Sequence, residues 1–247
     1  MQAFAKTDIG CVRKVNQDVC YVSTDPVGPF PNLFIVADGM GGHKAGDYAA
    51  RFAISTFLEF ASGTEDRNLI HVVNEGIREA NQRVLDKAQE DPERFGGMGT
   101  TLVAAFIEGR QLYVANVGDS RLYLVSQEEI NQVTEDHSYV AAMVRAHEIT
   151  PEEARNHPRK NVITRAVGAS GDVEADFFEV DLYEGDRILM CSDGLSNMIE
   201  DDQLRQMLSQ GDVVTVTEKL IETARENGGL DNITAIVIDP ELEEVNE

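Results

Sequence analysis

Tryptophan is absent from the 247 residues, and cations are few: 21 lysines and arginines stand against 44 aspartates and glutamates, a formal charge of −23. That shortage excludes a class of partners, because a protein that grips a phosphate backbone or an anionic bilayer needs clustered Lys and Arg. Cysteine is scarce as well. Cys11, Cys20 and Cys191 are odd in number and widely spaced, so they make neither a disulfide framework nor a zinc motif, and a reducing compartment suits them. The histidines, His43, His71, His137, His147 and His157, include no pair three to five positions apart, which argues against a zinc site built from them. No apolar run approaches the ~18 residues of a membrane span. The start, Met1-Gln2-Ala3-Phe4-Ala5-Lys6, lacks the basic residues and apolar core of an export signal. The expectation is a soluble, cytoplasmic, monomeric protein whose partners include no nucleic acid and no membrane.

What is present describes a folded chain. Hydrophobic residues make up 42% of it, more than a disordered chain of this acidity would carry. No repeat or linker divides it, so residues 1–240 read as one domain, followed by an acidic tail, Glu241–Glu247. Strands are expected at Val19–Ser23, Leu33–Ala37, Thr101–Ile107, Gln111–Val117, Arg121–Val125, Asp176–Val180, Arg187–Cys191 and Ile233–Ile238. The short connections Glu108-Gly109-Arg110 and Gly118-Asp119-Ser120 each suggest a hairpin, hence antiparallel pairing. Helical stripes run through Ala50, Ile54, Phe57, Leu58 and Ala61, through Ile70, Val73, Ile77, Ala80 and Val84, and through Val213, Val216, Leu220 and Ala224, the last preceded by a shorter helix over Asp202–Ser209. Thr150-Pro151-Glu152-Glu153 is a capping-box start. Hairpins with helices inserted in pairs indicate an α+β fold. A polar segment at about 136–164 stands apart, its Arg145, Arg155, Arg159 and Lys160 basic against an acidic background, as a flap or recognition loop would be.

Five aspartates share one placement. Asp18, Asp38, Asp119, Asp193 and Asp231 each stand just before or after a predicted strand, where a sheet can gather residues remote in sequence. Gathered carboxylates repel, and hard divalent ions such as Mg²⁺ and Mn²⁺ are their natural compensation. In Asp38-Gly39 and Asp193-Gly194 the glycine would let a metal or substrate approach the backbone, although Asp-Gly is also a common turn. A nucleotide loop in Gly39-Met40-Gly41-Gly42-His43-Lys44-Ala45 fails: a dinucleotide fingerprint needs Gly where Lys44 stands, and a P-loop needs Ser or Thr after its Gly-Lys.

Six motifs follow one another along the chain: Arg13-Lys14-Val15-Asn16-Gln17-Asp18, Val36-Ala37-Asp38-Gly39-Met40-Gly41-Gly42-His43, Gly99-Thr100-Thr101, Val117-Gly118-Asp119-Ser120-Arg121, Ser192-Asp193-Gly194-Leu195 and Asp231-Asn232-Ile233-Thr234. In these motifs and their order the chain resembles bacterial type 2C protein phosphatases, the metal-dependent PPM class, from about Ala5 to Asp239. The resemblance implies a four-layer αββα sandwich, two antiparallel sheets flanked by helix pairs, with a flap in the segment already set apart. It implies two ions, Mg²⁺ or Mn²⁺: Asp38 bridging them, the Gly39 carbonyl on the first, Asp193 and Asp231 on the second. Asp18 would orient the surrounding waters, Asp119 with Asp193 would hold a third ion, and Arg13 would bind the substrate phosphate, pairing two oxygens at once. It further implies in-line attack on phosphoserine or phosphothreonine by a water bridging the ions, and a cognate Ser/Thr kinase whose work is reversed. Two positions depart from eukaryotic relatives: Met40 stands where they carry His, leaving His43 as the nearest general acid or substrate contact, and Gln17 stands where many carry Glu. An inactive relative that binds partners through the same fold is the alternative, and it predicts lost ligands.

Overall fold

Leu33 to Ala37 and Ile233 to Ile238 are apolar at nearly every position, a pattern a sheet tolerates only when both of its faces are covered. The computed structural model describes residues 1–42, 45–240 and 242. Along these the chain runs β1 (Gln2–Asp8), β2 (Asp18–Ser23), β3 (Leu33–Met40), α1 (Ala45–Gly63), α2 (Leu69–Glu90), α3 (Pro92–Phe95), β4 (Gly99–Thr100), β5 (Leu102–Glu108), β6 (Gln111–Val117), β7 (Arg121–Val125), β8 (Ile130–Gln132), α4 (Tyr139–Arg145), α5 (Pro151–Arg155), β9 (Asp176–Asp181), β10 (Arg187–Cys191), α6 (Asp193–Ser196), α7 (Asp201–Leu208), α8 (Val213–Glu226) and β11 (Ile233–Asp239). One sheet has the order β1-β11-β10-β7-β8 and the other β2-β3-β5-β6-β9, with β4 added to β3. All pairings are antiparallel.

Alternation along each central strand builds the layers. Leu33, Ile35 and Ala37 of β3 pack with Ala49, Ala53 and Phe57 of α1 and Val73 and Ile77 of α2. Their neighbours Phe34 and Val36 point the other way and meet Ile188, Met190, Ile236 and Ile238 of the opposite sheet. On β11, Ile233, Ala235 and Val237 pack with Leu195, Leu204 and Leu220 of α6, α7 and α8. Three apolar clusters between four layers give the expected αββα sandwich. Side-chain caps begin the helices: Asn68 Oδ1 accepts from the His71 N–H at 3.1 Å, Asp212 Oδ1 from Val214 and Thr215, and Thr150 with Glu153 closes the expected capping box of α5.

The structure corrects several expectations. Gly118-Asp119-Ser120 closes no hairpin: β6 pairs with β5 and β9, β7 with β10 and β8, so the connection crosses from one sheet to the other. A short link between two strands buried on both faces fits either arrangement, and here the sandwich gap decides it. Strand β3 does not end before Asp38, since Asp38 lies opposite Asp18 and Gly39 opposite Thr100. Ile70, placed on the apolar stripe of α2, is 47% exposed. Strands β1, β4 and β8 and helices α3, α4 and α6 were not expected; β1 alternates weakly and gains its order from pairing with β11. The 136–164 segment holds α4 and α5. The acidic tail lies outside the described residues apart from Leu242, which packs against the inter-sheet cluster.

Candidate metal centre

Opposed residues of an antiparallel pair carry their side chains on the same face, so the facing of Asp18 and Asp38 across β2 and β3 puts two carboxylates side by side. The backbone of Asp38 is fixed by residues more than 60 positions away in sequence: its N–H donates to Thr101 Oγ1 at 2.8 Å, and its carbonyl accepts from the Thr101 N–H at 2.9 Å and the Thr100 hydroxyl at 3.0 Å. Asp193 opens α6 directly after β10, its Oδ2 accepting from Asn197 Nδ2 at 3.1 Å. Asp231 precedes β11 and receives Arg13 Nη2 on its Oδ2 at 2.6 Å. Asp119 sits in the crossover from β6 to β7 and is 6% exposed. A cleft of about 640 Å³ adjoins Asp119 and Asp193, lined also by Arg121, Asn197, Arg155 and Lys160 among others.

Electrostatics ties the five together. The Asp38 carboxyl is held well above the usual carboxylate range, first by burial and then by the charges of Asp18, Asp193, Asp119 and Asp231. Asp18 is pushed up to about 7, again first by burial, although hydroxyls of Ser192 and Thr234, each 2.7 Å from its Oδ2, favour the ionised form. Burial and Asp231 raise Asp193 to about 6 against the pull of Arg121, Arg13 and Lys160. Asp119 is raised well above its ordinary value by burial, then by Asp193 and Asp136. Burial of negative charge at this density is costly until positive charge is added.

The donor set fits hard divalent ions. No hydrogen-bond donor among the described residues reaches Asp18 Oδ1 or Asp193 Oδ1, both buried. Such oxygens, without nitrogen or sulfur beside them, are ligands for Mg²⁺ or Mn²⁺. Among the described residues no three His, Cys, Asp or Glu side chains close tightly enough to enclose an ion unaided. An ion here would therefore complete its shell with water and backbone carbonyl, which Mg²⁺ in particular prefers.

Residues 12–237 match the profile of the family described as Protein phosphatase 2C. The chain belongs to the protein phosphatase 2C family. It is 39% identical to the serine/threonine phosphatase stp of Listeria monocytogenes over 98% of this chain and 97% of that one. Among solved structures, a bacterial serine phosphatase superposes with a TM-score of 0.92 at 33% identity, covering 99% of this chain and 100% of the other. The catalytic domain of the serine threonine protein phosphatase PstP, solved with two manganese ions, superposes with a TM-score of 0.83 at 33% identity over 96% of each chain.

In this protein phosphatase 2C chain the five sequence-predicted aspartates come together and Arg13 joins them, whereas His43 lies outside the described residues. The glycines after Asp38 and Asp193 serve the fold: a Cβ on Gly39 would stand 2.1 Å from the Gly46 carbonyl oxygen of α1, and one on Gly194 1.9 Å from that of Asn232. Backbone meets backbone there, so neither position has room for a side chain. The flap cations are largely engaged within the protein, Arg155 with Glu200 at 3.2 Å and Arg159 over the Tyr139 ring at 3.9 Å. Cys191 is fully buried and its thiol is pushed up to about 12 by burial, which removes it as a nucleophile.

Sequence reading missed the residues that support the carboxylates. Ser192 and Thr234 clasp Asp18 from the other sheet. Asn232 Nδ2 donates to the carbonyls of Ile9 and Val15 at 3.0 Å each, and its Oδ1 accepts from the Gln17 N–H at 2.9 Å, pinning the loop that carries Arg13. Thr101 locks Asp38. Each stands one to three residues from a motif aspartate or, for Thr101, between β4 and the apolar β5, and a polar residue beside such a run was the available signal.

Proposed function

We propose that residues 1–240 act as one metal-dependent phosphatase domain that removes phosphate from phosphoserine and phosphothreonine in proteins, opposing a Ser/Thr kinase in the cytoplasm and working as a monomer. The support is the family membership together with one observation: five buried or half-buried aspartates gathered at one end of the sheets, four of which, Asp18, Asp38, Asp119 and Asp193, have raised pKa values from burial and mutual repulsion, with oxygens of Asp18 and Asp193 that no donor among the described residues satisfies. Among the described residues no helix is long and apolar enough to cross a membrane.

In this reading Asp38, the Gly39 carbonyl, Asp193 and Asp231 hold two ions, Mg²⁺ or Mn²⁺, and Asp119 with Asp193 holds a third. Bound ions of this kind supply an activated bridging water for in-line attack and positive charge for the phosphoryl oxygens. The chain's own residues do the rest. Asp18, held by Ser192 and Thr234, turns Oδ1 toward waters of the centre. Arg13 uses one guanidinium nitrogen on Asp231, and a guanidinium has further donors for two oxygens of a phosphate. The Asp231 contact orients Arg13 before substrate arrives and so lessens the entropy lost on binding.

The test is hydrolysis of p-nitrophenyl phosphate and of a phosphothreonine peptide. Activity is expected with Mn²⁺, and loss of at least about a hundredfold on chelation by EDTA or in Asp193→Ala, the scale at which removing charge stabilisation acts. Undiminished turnover by the chelated protein would refute the metal-dependent reading.

A further inference from the structure

His137 is 4% exposed and makes a contact in four directions, none of which the proposed chemistry uses. Its Nδ1 faces the Gly118 N–H at 3.0 Å, and an amide can only donate, so Nδ1 accepts and carries no proton. The proton is therefore on Nε2, which donates to Asp176 Oδ2 of β9 at 3.0 Å. In the backbone, the His137 N–H donates to the Gly118 carbonyl at 2.9 Å, and the His137 carbonyl accepts from the Thr164 N–H at 2.8 Å. Ser138 bridges Ile163, and the Tyr139 N–H donates to the Val162 carbonyl at 2.8 Å. One residue thus clasps Gly118 by both of its backbone polar groups and closes the base of the 136–164 segment.

Gly118 is the first residue of the crossover that carries Asp119. Its φ of +113° belongs to the region that favours glycine, and a Cβ would stand 2.6 Å from Thr101. On the far side of Asp119 the Ser120 hydroxyl lies 2.8 Å from Thr101 Oγ1, the same atom that accepts from the Asp38 N–H. Asp119 is consequently held between two anchors, Ser120 through Thr101 and Gly118 through His137.

We propose that His137 is a positioning residue: through Gly118 it sets the place of Asp119 beside Asp193, and it makes that placement depend on the order of the flap base. The inference rests on the reading of Asp119 as a metal ligand. It predicts that flap order and occupancy of the Asp119 side of the centre rise and fall together.

Two substitutions separate the two ring contacts. In His137→Asn the amide oxygen stands where Nδ1 was and keeps the Gly118 bond, while the contact with Asp176 is lost. In His137→Gln the amide nitrogen stands where Nε2 was and keeps Asp176, while Gly118 is released. Metal-free full-length protein is titrated with Mn²⁺ by calorimetry, and exchange of the Gly118 amide is followed by NMR. His137→Asn is expected to keep the Gly118 amide protected and its weakest Mn²⁺ site within about twofold of the parent, whereas His137→Gln exposes the amide and weakens that site by about five- to tenfold, as loss of one hydrogen bond implies. Equal effects of the two variants would show a merely structural histidine and overturn the proposal. Asp119→Ala is the reference: if it leaves the Mn²⁺ titration unchanged, the ligand reading has failed, and Gly118 exchange in the two variants alone decides whether the clasp exists. Should a variant not fold, the parent protein serves. Added Mg²⁺ should shift the Gly118 amide and His137 ring resonances with one midpoint, and unmoved resonances at saturating Mg²⁺ would overturn the coupling.

Discussion

Arg13 is half exposed and, taken from the sequence without its motif, an ordinary surface arginine; its meaning comes from Asp231, 2.6 Å away and 218 positions later. Its guanidinium is raised above the usual value first by that hydrogen bond, with Asp193 and Asp38 adding to the effect. Two consequences compete in Arg13→Ala. Phosphate loses a bidentate partner, which raises KM, while Asp231 loses a cation that shares its oxygens with any bound ion, which leaves metal affinity unchanged or tighter. We expect KM for a phosphopeptide to rise by about tenfold or more, the loss of one to two charge-assisted bonds, with Mn²⁺ affinity not weakened. Steady-state kinetics beside a Mn²⁺ titration checks both, and weakened Mn²⁺ binding at unchanged KM would refute the phosphate role. At this scale the aspartates were legible because five of them share one placement at strand ends, inside motifs that occur in a family's order. Ser192, Thr234 and Asn232 were not, because a hydroxyl or amide acquires a role only when another strand brings Asp18 or the Arg13 loop within reach.

At the scale of elements, the β6 to β7 crossover separates what patterning can specify from what it cannot. Apolar runs bounded by Gly and Asp located both strands to the residue, since Gln111–Val117 and Arg121–Val125 are the observed spans. It could not say whether they pair, because strands of the two sheets are buried alike and a three-residue link serves a hairpin or a change of sheet. The distinguishing information lies in Gly118, whose φ and contact with Thr101 permit no side chain. Gly118→Ala should therefore lose about 2–4 kcal/mol, combining a left-handed backbone cost of 1–2 kcal/mol with an overpacking cost of similar size. Urea unfolding in saturating Mg²⁺ would measure it. A loss below about 0.5 kcal/mol, the scale of an unconstrained surface site, would mean that the crossover tolerates another backbone path.

For the whole molecule, the charge of −23 acts on stability through the few acids that folding buries. Asp18 and Asp193 ionise near 7 and 6 in the folded chain, against an ordinary 3.8. A carboxyl raised on folding binds protons more tightly in the native state, so between pH 4 and 7 the native form holds more protons than the unfolded one and stability falls as pH rises. The contribution is complete below about pH 4 and gone above about pH 7, and with each raised pKa worth about 1.4 kcal/mol per unit the two groups account for several kcal/mol. Divalent ions bind the ionised carboxylates and so act in the opposite sense, stabilising more as pH rises. Thermal unfolding of the chelated protein should accordingly give a Tm that declines from pH 5 to 7.5, while the increment produced by Mn²⁺ grows over the same interval. General repulsion among 44 acidic residues also lowers stability with pH, and Asp18→Asn distinguishes the two. It removes one buried titration and almost none of the overall charge, so a marked flattening of the chelated Tm profile locates the effect at the centre, whereas an unchanged slope would assign it to the surface field.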